Sequence, residues 1–435
     1  MSQVEAAILS RRALLRGCAL LGAGASMGAL PGWAFAAEGI EGQWPAVTAM
    51  LDKYVRSRQV AGMIAALGWG DKAPGYIARG REGFADRDPS SPDSLYRAYS
   101  MTKPITGMAA MILIDEGRIG LDQPVADFIP EFARLQVAID PQTSLAARPA
   151  QNVMTIRHLL THTSGLGYAV VGRDKPSQEL ARLGVNPGLV SLGKLSGIND
   201  GAPTPGPDEF LRRTALVPLV AEPGARWSYS MGLDVLGLLI GRVTGQELES
   251  FVHERIFAPA GMTSSWFQVP PRANKHLTTN YSLLGRRPVA IDGPGHSVYQ
   301  ARIPFAFGGS GLVTSPADYD RFLTMLVGRG TIGGRRVMSE AAVRMGTSNL
   351  LPATADLSGT WVAGNHFGAG GIVGTGKDEG LFGWSGAAGT VGYAQLRLGL
   401  RTGLFVQYMP QEKLPILEEF PKAVGADLST QGIAK

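Results

Sequence analysis

Ser100-Met101-Thr102-Lys103 follows an expected strand end at residues 95–99 and opens an apolar run over residues 105–114. A serine in the first turn of a helix presents its hydroxyl and backbone N–H at the positive helix end. A lysine three residues on shares its helical face, which brings an amine within reach of the hydroxyl. Serine is a weak nucleophile at neutral pH and needs a neighbouring base. A lysine can serve when burial and a second cation disfavour its charged form. Read alone, the motif is equally a capping serine and a solvated lysine, because a four-residue pattern recurs by chance.

The surrounding chain narrows the choice. Its 435 residues are 45% hydrophobic and 18% charged, which suits a globular protein with a sizeable core. Fifty-eight glycines and 28 prolines announce many turns. Ser10-Arg11-Arg12-Ala13-Leu14-Leu15, a glycine-rich apolar run to Leu30 and Ala34-Phe35-Ala36 form a twin-arginine-type export signal over residues 1–36. This run is too short and glycine-rich for stable membrane insertion. A periplasmic location and a mature chain starting at Ala37 are the expectation. The formal charge is +5, and removing that segment's three arginines and one glutamate leaves +3, too little for a nucleic-acid footprint. The single cysteine, Cys18, lies in the segment, so the mature chain has neither a disulfide nor a thiol nucleophile. The six histidines have no metal-ligand spacing, and no cofactor or metal is expected.

Apolar periodicity predicts helices over residues 47–60, 100–116, 154–160, 210–217, 233–243 and 317–327, the last capped by Ser315 with Pro316 at its first position. Alternation predicts strands over 62–69 and 75–84, and a hairpin over 390–398 and 402–408 turning at Gly399. Strands at both chain ends with helices between predict one catalytic domain over residues 37–435. The fold class is α/β of the α+β type: a mixed, mainly antiparallel sheet joining the termini, flanked by helices, with a helical part over about 101–300. Residues 168–206 show no sustained period and read as an insertion near the site.

Two further segments bear on the chemistry. Trp227-Ser228-Tyr229-Ser230-Met231-Gly232 puts a phenol in a turn before an apolar helix, where it can share a proton with a lysine. Gly383-Trp384-Ser385-Gly386-Ala387-Ala388-Gly389-Thr390 reads as an edge strand of small residues, whose N–H, with that of Ser100, can form an oxyanion hole. Read alone, the first is a tyrosine packed at a helix start and the second a tight glycine turn. Gly383–Ala387 also imitates a G-x-S-x-G elbow, but no histidine follows His366 to complete that triad.

Together, and in their order and spacing, these segments resemble the serine β-lactamase and penicillin-binding superfamily on its class C side, over about residues 46–410. Tyr99-Ser100-Met101-Thr102-Lys103-Pro104, Leu121-Asp122-Gln123-Pro124-Val125, Leu159-Leu160-Thr161-His162-Thr163-Ser164-Gly165-Leu166 and Phe307-Gly308-Gly309-Ser310-Gly311-Leu312 carry the resemblance. Trp384-Ser385-Gly386, where β-lactamases have Lys-Thr-Gly, makes the chain most similar to family VIII carboxylesterases. The resemblance implies a β-lactamase-like fold, with Ser100 as acylated nucleophile, Lys103 as its base, Tyr229 as proton shuttle and the N–H groups of Ser100 and Ala387 as oxyanion hole. It places Trp384, Ser385, Gly386 and Met231 at the substrate. Met231 stands where β-lactamases carry Asn, and Trp384 replaces the lysine that binds a β-lactam carboxylate. Both departures favour small or apolar ester substrates. The alternatives are an amide-cleaving peptidase, a β-lactamase and an acyltransferase of the same fold.

Overall fold

A computed structural model describes residues 39–191, 203–285 and 287–433. The expected export signal lies outside the described residues, as do residues 192–202 of the insertion.

The described chain runs through helix α1 (Pro45–Arg56) and strands β1 (Gly62–Trp69) and β2 (Gly75–Gly80). It continues into helices α2 (Thr102–Asp115), α3 (Gly232–Thr244) and α4 (Pro316–Val327). Strands β3 (His366–Phe367), β4 (Ile372–Val373), β5 (Leu381–Ser385), β6 (Val391–Gln395) and β7 (Leu400–Phe405) follow, and helix α5 (Ile416–Thr430) comes last. The strands form one antiparallel sheet ordered β3-β4-β5-β6-β7-β1-β2. The expected junction of the chain ends is the β1–β7 pair, in register from Ile64 opposite Phe405 to Trp69 opposite Leu400.

Each sheet face has its own helical cover. On one, α1 and α5 pack with Val47, Leu51, Phe420 and Val424 against Met63, Leu67 and Leu404. Trp44 precedes α1 without a capping side chain, and Asp427 of α5 substitutes: its carboxylate oxygens accept the N–H groups of Ala46 and Val47 at 2.9 and 3.0 Å. On the other face lies α4, with Ser315 accepting the Asp318 N–H as the expected cap. Beyond it the helical part is built around α2, whose residues from Thr102 to Leu113 are all buried. A helix apolar on every side has to lie inside the protein. That burial takes Lys103 with it.

The strand readings needed two corrections. The second strand ends at Gly80 rather than continuing to residue 84, because Gly80 has φ +77° and turns the chain away. The 383–390 segment is not on a sheet edge: β5 lies between β4 and β6. However, β4 pairs only with Phe382 and Gly383, so Trp384 and Ser385 are open on that side. The insertion holds a helix, Lys175–Arg182, started by Asp174, whose side chain accepts the Ser177 N–H at 2.8 Å.

Candidate active site

Tyr99–Met101 forms a short 3₁₀ turn that leads into α2. Tyr99 has φ +44°, a left-handed backbone that residues bearing side chains seldom adopt. The Thr102 hydroxyl holds the kink by donating to the Tyr99 carbonyl at 2.6 Å, and Asn280 Nδ2 donates to the Tyr99 phenol at 3.1 Å. The kink sets half-buried Ser100 at the head of a helix that is otherwise buried.

Three expected residues converge here. Lys103 Nζ donates to Ser100 Oγ at 3.1 Å and to the Gly309 carbonyl at 2.7 Å. The Tyr229 hydroxyl donates to the same Oγ at 2.7 Å. Trp384 Nε1 donates to that hydroxyl at 3.3 Å. The Lys103 side chain is fully buried, and Nζ lies 4.7 Å from the Tyr229 ring centroid and 5.6 Å from that of Tyr168. Such ring faces favour a cation, which gives the ammonium a site away from water. A serine oxygen between an amine and a phenol can lose its proton to either neighbour in its basic form.

The strand-side residues are placed by close backbone approach. A Cβ at Gly386 would fall 2.3 Å from the Ala98 carbonyl and 2.2 Å from Thr390 Oγ1, so only glycine lets the end of β5 lie against the turn carrying Ser100. Half-buried Ala387 packs with Tyr99, Val190 and Ala388. Trp384, Ser385 and Gly386 are buried. Met231 requires a correction as a substrate contact: it is fully buried in the core of the helical part, at the start of α3, and offers no surface to a ligand.

The sequence reading missed Tyr168 and Asp234. Tyr168, at the start of the insertion, packs edge-on against Tyr229 at 5.4 Å. Burial, then Asp234, then Tyr229 push its phenol well above the ordinary tyrosine range, so it stays protonated. Asp234 is fully buried in the first turn of α3 and accepts the Gly309 N–H at 2.8 Å. Its signal was an ionisable residue inside the apolar run Leu233-Asp234-Val235-Leu236. The insertion also comes close to the site: the Ser310 hydroxyl donates to the Pro187 carbonyl at 3.0 Å, and Val190 packs on Tyr99.

His162 packs 4.7 Å from the Tyr229 ring. Its Nδ1 accepts the Ser230 N–H at 3.2 Å, which assigns the ring proton to Nε2. Burial, with a smaller contribution from Lys103, holds the imidazole well below its usual range and therefore neutral. With Trp227, Trp361, Phe367 and Trp384 it completes an aromatic wall around Tyr229.

Known proteins resemble this chain in sequence and in fold. The beta-lactamase family model matches residues 47–417. Esterase EstB of Burkholderia gladioli is 35% identical over 222 residues, half of each chain. Acyltransferase calJ of Penicillium decumbens is 30% identical over 353 residues, 74% of this chain and 78% of the acyltransferase. The chain spans 50–62% of the length of the curated bacterial relatives it matches. Among solved structures, EstCE1, "a hydrolase with promiscuous acyltransferase activity", shares the fold with a TM-score of 0.68 at 21% identity, over 88% of this chain and 99% of that one.

Proposed function

The chain belongs to the beta-lactamase family, and from that premise we propose that it is an exported serine hydrolase that cleaves carboxylic esters with small or apolar acyl groups. The observation that carries this reading is the convergence of Lys103 Nζ and the Tyr229 hydroxyl on Ser100 Oγ. In acylation, the Ser100 Oγ–H bond breaks and its proton passes to Lys103. A bond forms between Oγ and the acyl carbon, and the carbonyl π pair moves to oxygen. The Ser100 and Ala387 N–H groups receive that oxyanion. Collapse expels the alcohol, which takes a proton through Tyr229. Water then repeats the sequence on the acyl-enzyme.

Ester preference rests on Trp384. An indole on the phenol stands where a cation would meet the carboxylate of a β-lactam, and the wall around it is aromatic. EstB, named an esterase, supports the same reading. Turnover of a matched panel of short-chain aryl esters, D-peptide amides and a chromogenic cephalosporin tests it. The esters are expected to lead; an equal or higher kcat/KM on the cephalosporin reverses the assignment to β-lactamase, and on the peptides to amidase. The match to acyltransferase calJ favours acyl transfer as a second reading, tested by adding an alcohol acceptor and measuring ester product against free acid. Export is proposed from Arg11-Arg12 and Ala34-Phe35-Ala36. Intact mass of the exported protein is expected to show Ala37 first, and a periplasmic chain retaining residues 1–36 overturns it.

A further inference from the structure

Behind Lys103, away from the serine, lies an acid that the scheme above does not use. Gly309 is held from two sides: its N–H donates to Asp234 Oδ1 at 2.8 Å, and its carbonyl accepts Lys103 Nζ at 2.7 Å. The neighbouring Gly308 carbonyl is fixed by the Thr106 hydroxyl at 2.7 Å, and the Leu312 N–H by the Thr102 hydroxyl at 3.0 Å. The loop is thus pinned to α2 on one side and α3 on the other. Asp234 Oδ2 is buried and has no hydrogen-bond partner among the described residues. It points at Gly309, where a Cβ would fall 2.4 Å from it, so a side chain at 309 would have to displace the carboxylate. A buried carboxyl with an unmatched oxygen is unfavourable for folding alone. The ionisable groups that act on Asp234 and its surroundings are Lys103 of α2 and Tyr168 of the insertion. Burial, opposed by Lys103 and the Gly309 N–H, pushes the carboxyl up to about 7. It therefore carries charge at pH values above that.

Building on the Ser100–Lys103 reading, we propose that Asp234 is a positioning residue for acylation. It anchors Gly309 so that the carbonyl orients Lys103 Nζ toward Ser100, and it supplies the negative charge that stabilises the ammonium formed when Nζ takes the Ser100 proton. Asp234 itself touches neither substrate nor serine. Both effects grow as the transition state is reached, so they act on the rate of acylation rather than on binding.

The test is the rate at which the full chain takes up a fluorophosphonate probe, followed by intact mass over a range of probe concentrations above pH 8. Asp234→Ala is expected to lower the maximal rate about 10²-fold, the scale of a lost acid–base partner. The half-saturating concentration is expected to stay within about threefold of wild type. Asp234→Asn keeps an oxygen for the Gly309 N–H but no charge. It is expected to recover about tenfold of that loss. A folded Asp234→Ala that labels within about threefold of wild type overturns the proposal. So does an Asp234→Asn no faster than Asp234→Ala. If Asp234→Ala does not fold, as judged by circular dichroism, Asp234→Asn against wild type decides: about tenfold slower supports the role, and an equal rate removes it. Ser100→Ala is the control, and probe uptake by that variant overturns the parent assignment instead.

Discussion

Among the buried acid–base groups of the described residues, two arrangements are built to opposite standards. On the sheet, Arg401 of β7 meets Asp320 of α4 through Nε at 2.9 Å and Nη2 at 3.1 Å, one bond to each carboxylate oxygen. The guanidinium also donates to the Gly70 and Lys72 carbonyls, and Asp320 Oδ2 accepts the Thr324 hydroxyl at 3.4 Å. In the helical part, Lys103 and Asp234 do not touch. Gly309 stands between them, and one carboxylate oxygen has no partner. The first pair is satisfied at both partners and locks α4 onto the sheet. The second leaves room for protons to move. Buried charge is tolerated when fully paired, and a gap in the pairing marks where chemistry is done.

The largest expected effect falls on the reactive side. Ser100→Ala should abolish the covalent adduct with a fluorophosphonate, and Lys103→Ala and Tyr229→Phe should each lower kcat by about 10²-fold or more. A Ser100→Ala protein that still gains the probe's mass breaks the contrast by moving the nucleophile elsewhere, with Ser385 the first residue to examine. On the locked side, Asp320→Ala leaves the Arg401 guanidinium buried and unpaired. Chemical denaturation should show a loss of about 3–5 kcal/mol, while kcat of the folded fraction stays near wild type. A similar fall in kcat would mean that the two pairs are not separable.

The unmatched acid should reveal itself in the pH dependence of stability. Its folded carboxyl is raised from 3.8 to about 7, so the native state holds a proton that the unfolded chain releases between those values. The stability this proton confers is complete below about pH 4 and is lost as pH rises toward about 7. Asp234→Asn cannot ionise. Its stability relative to wild type should therefore climb over that window, by up to about 4 kcal/mol, and level off above it. A flat difference from pH 4 to 8 in urea denaturation would show that Asp234 does not titrate over that window and would break the contrast. The smallest effect belongs to Trp384→Phe, which keeps the aromatic wall but removes the donor to the Tyr229 hydroxyl. Loss of one neutral hydrogen bond corresponds to a fall in kcat of about three- to tenfold; no change would make Trp384 a packing residue alone.

Legibility in the sequence followed how local each constraint is. The Ser315 cap, the Gly399 turn and the apolar run of α2 depend on residues a few positions apart, and all were readable. Helix α5 was not. Pro421 lies within it, and what fixes it is the contact of Asp427 with the start of α1, some 380 residues away. Met231 looked like a substrate contact by its place in a motif, yet the turn into α3 sends it to the core.

The sequence by itself determined the Ser100-x-x-Lys103 spacing, its helix, and a sheet joining the two chain ends, because helical spacing and strand alternation are written in neighbouring residues. Only the tertiary structure decided which groups meet the serine. Tyr229 lies 129 positions from Ser100, Gly309 lies 206 from Lys103, and Asp234 lies 75 from Gly309. Those approaches come from packing α2 against α3 and the 307–312 loop. Packing of that kind is set by the shape of the whole core, which no local pattern records.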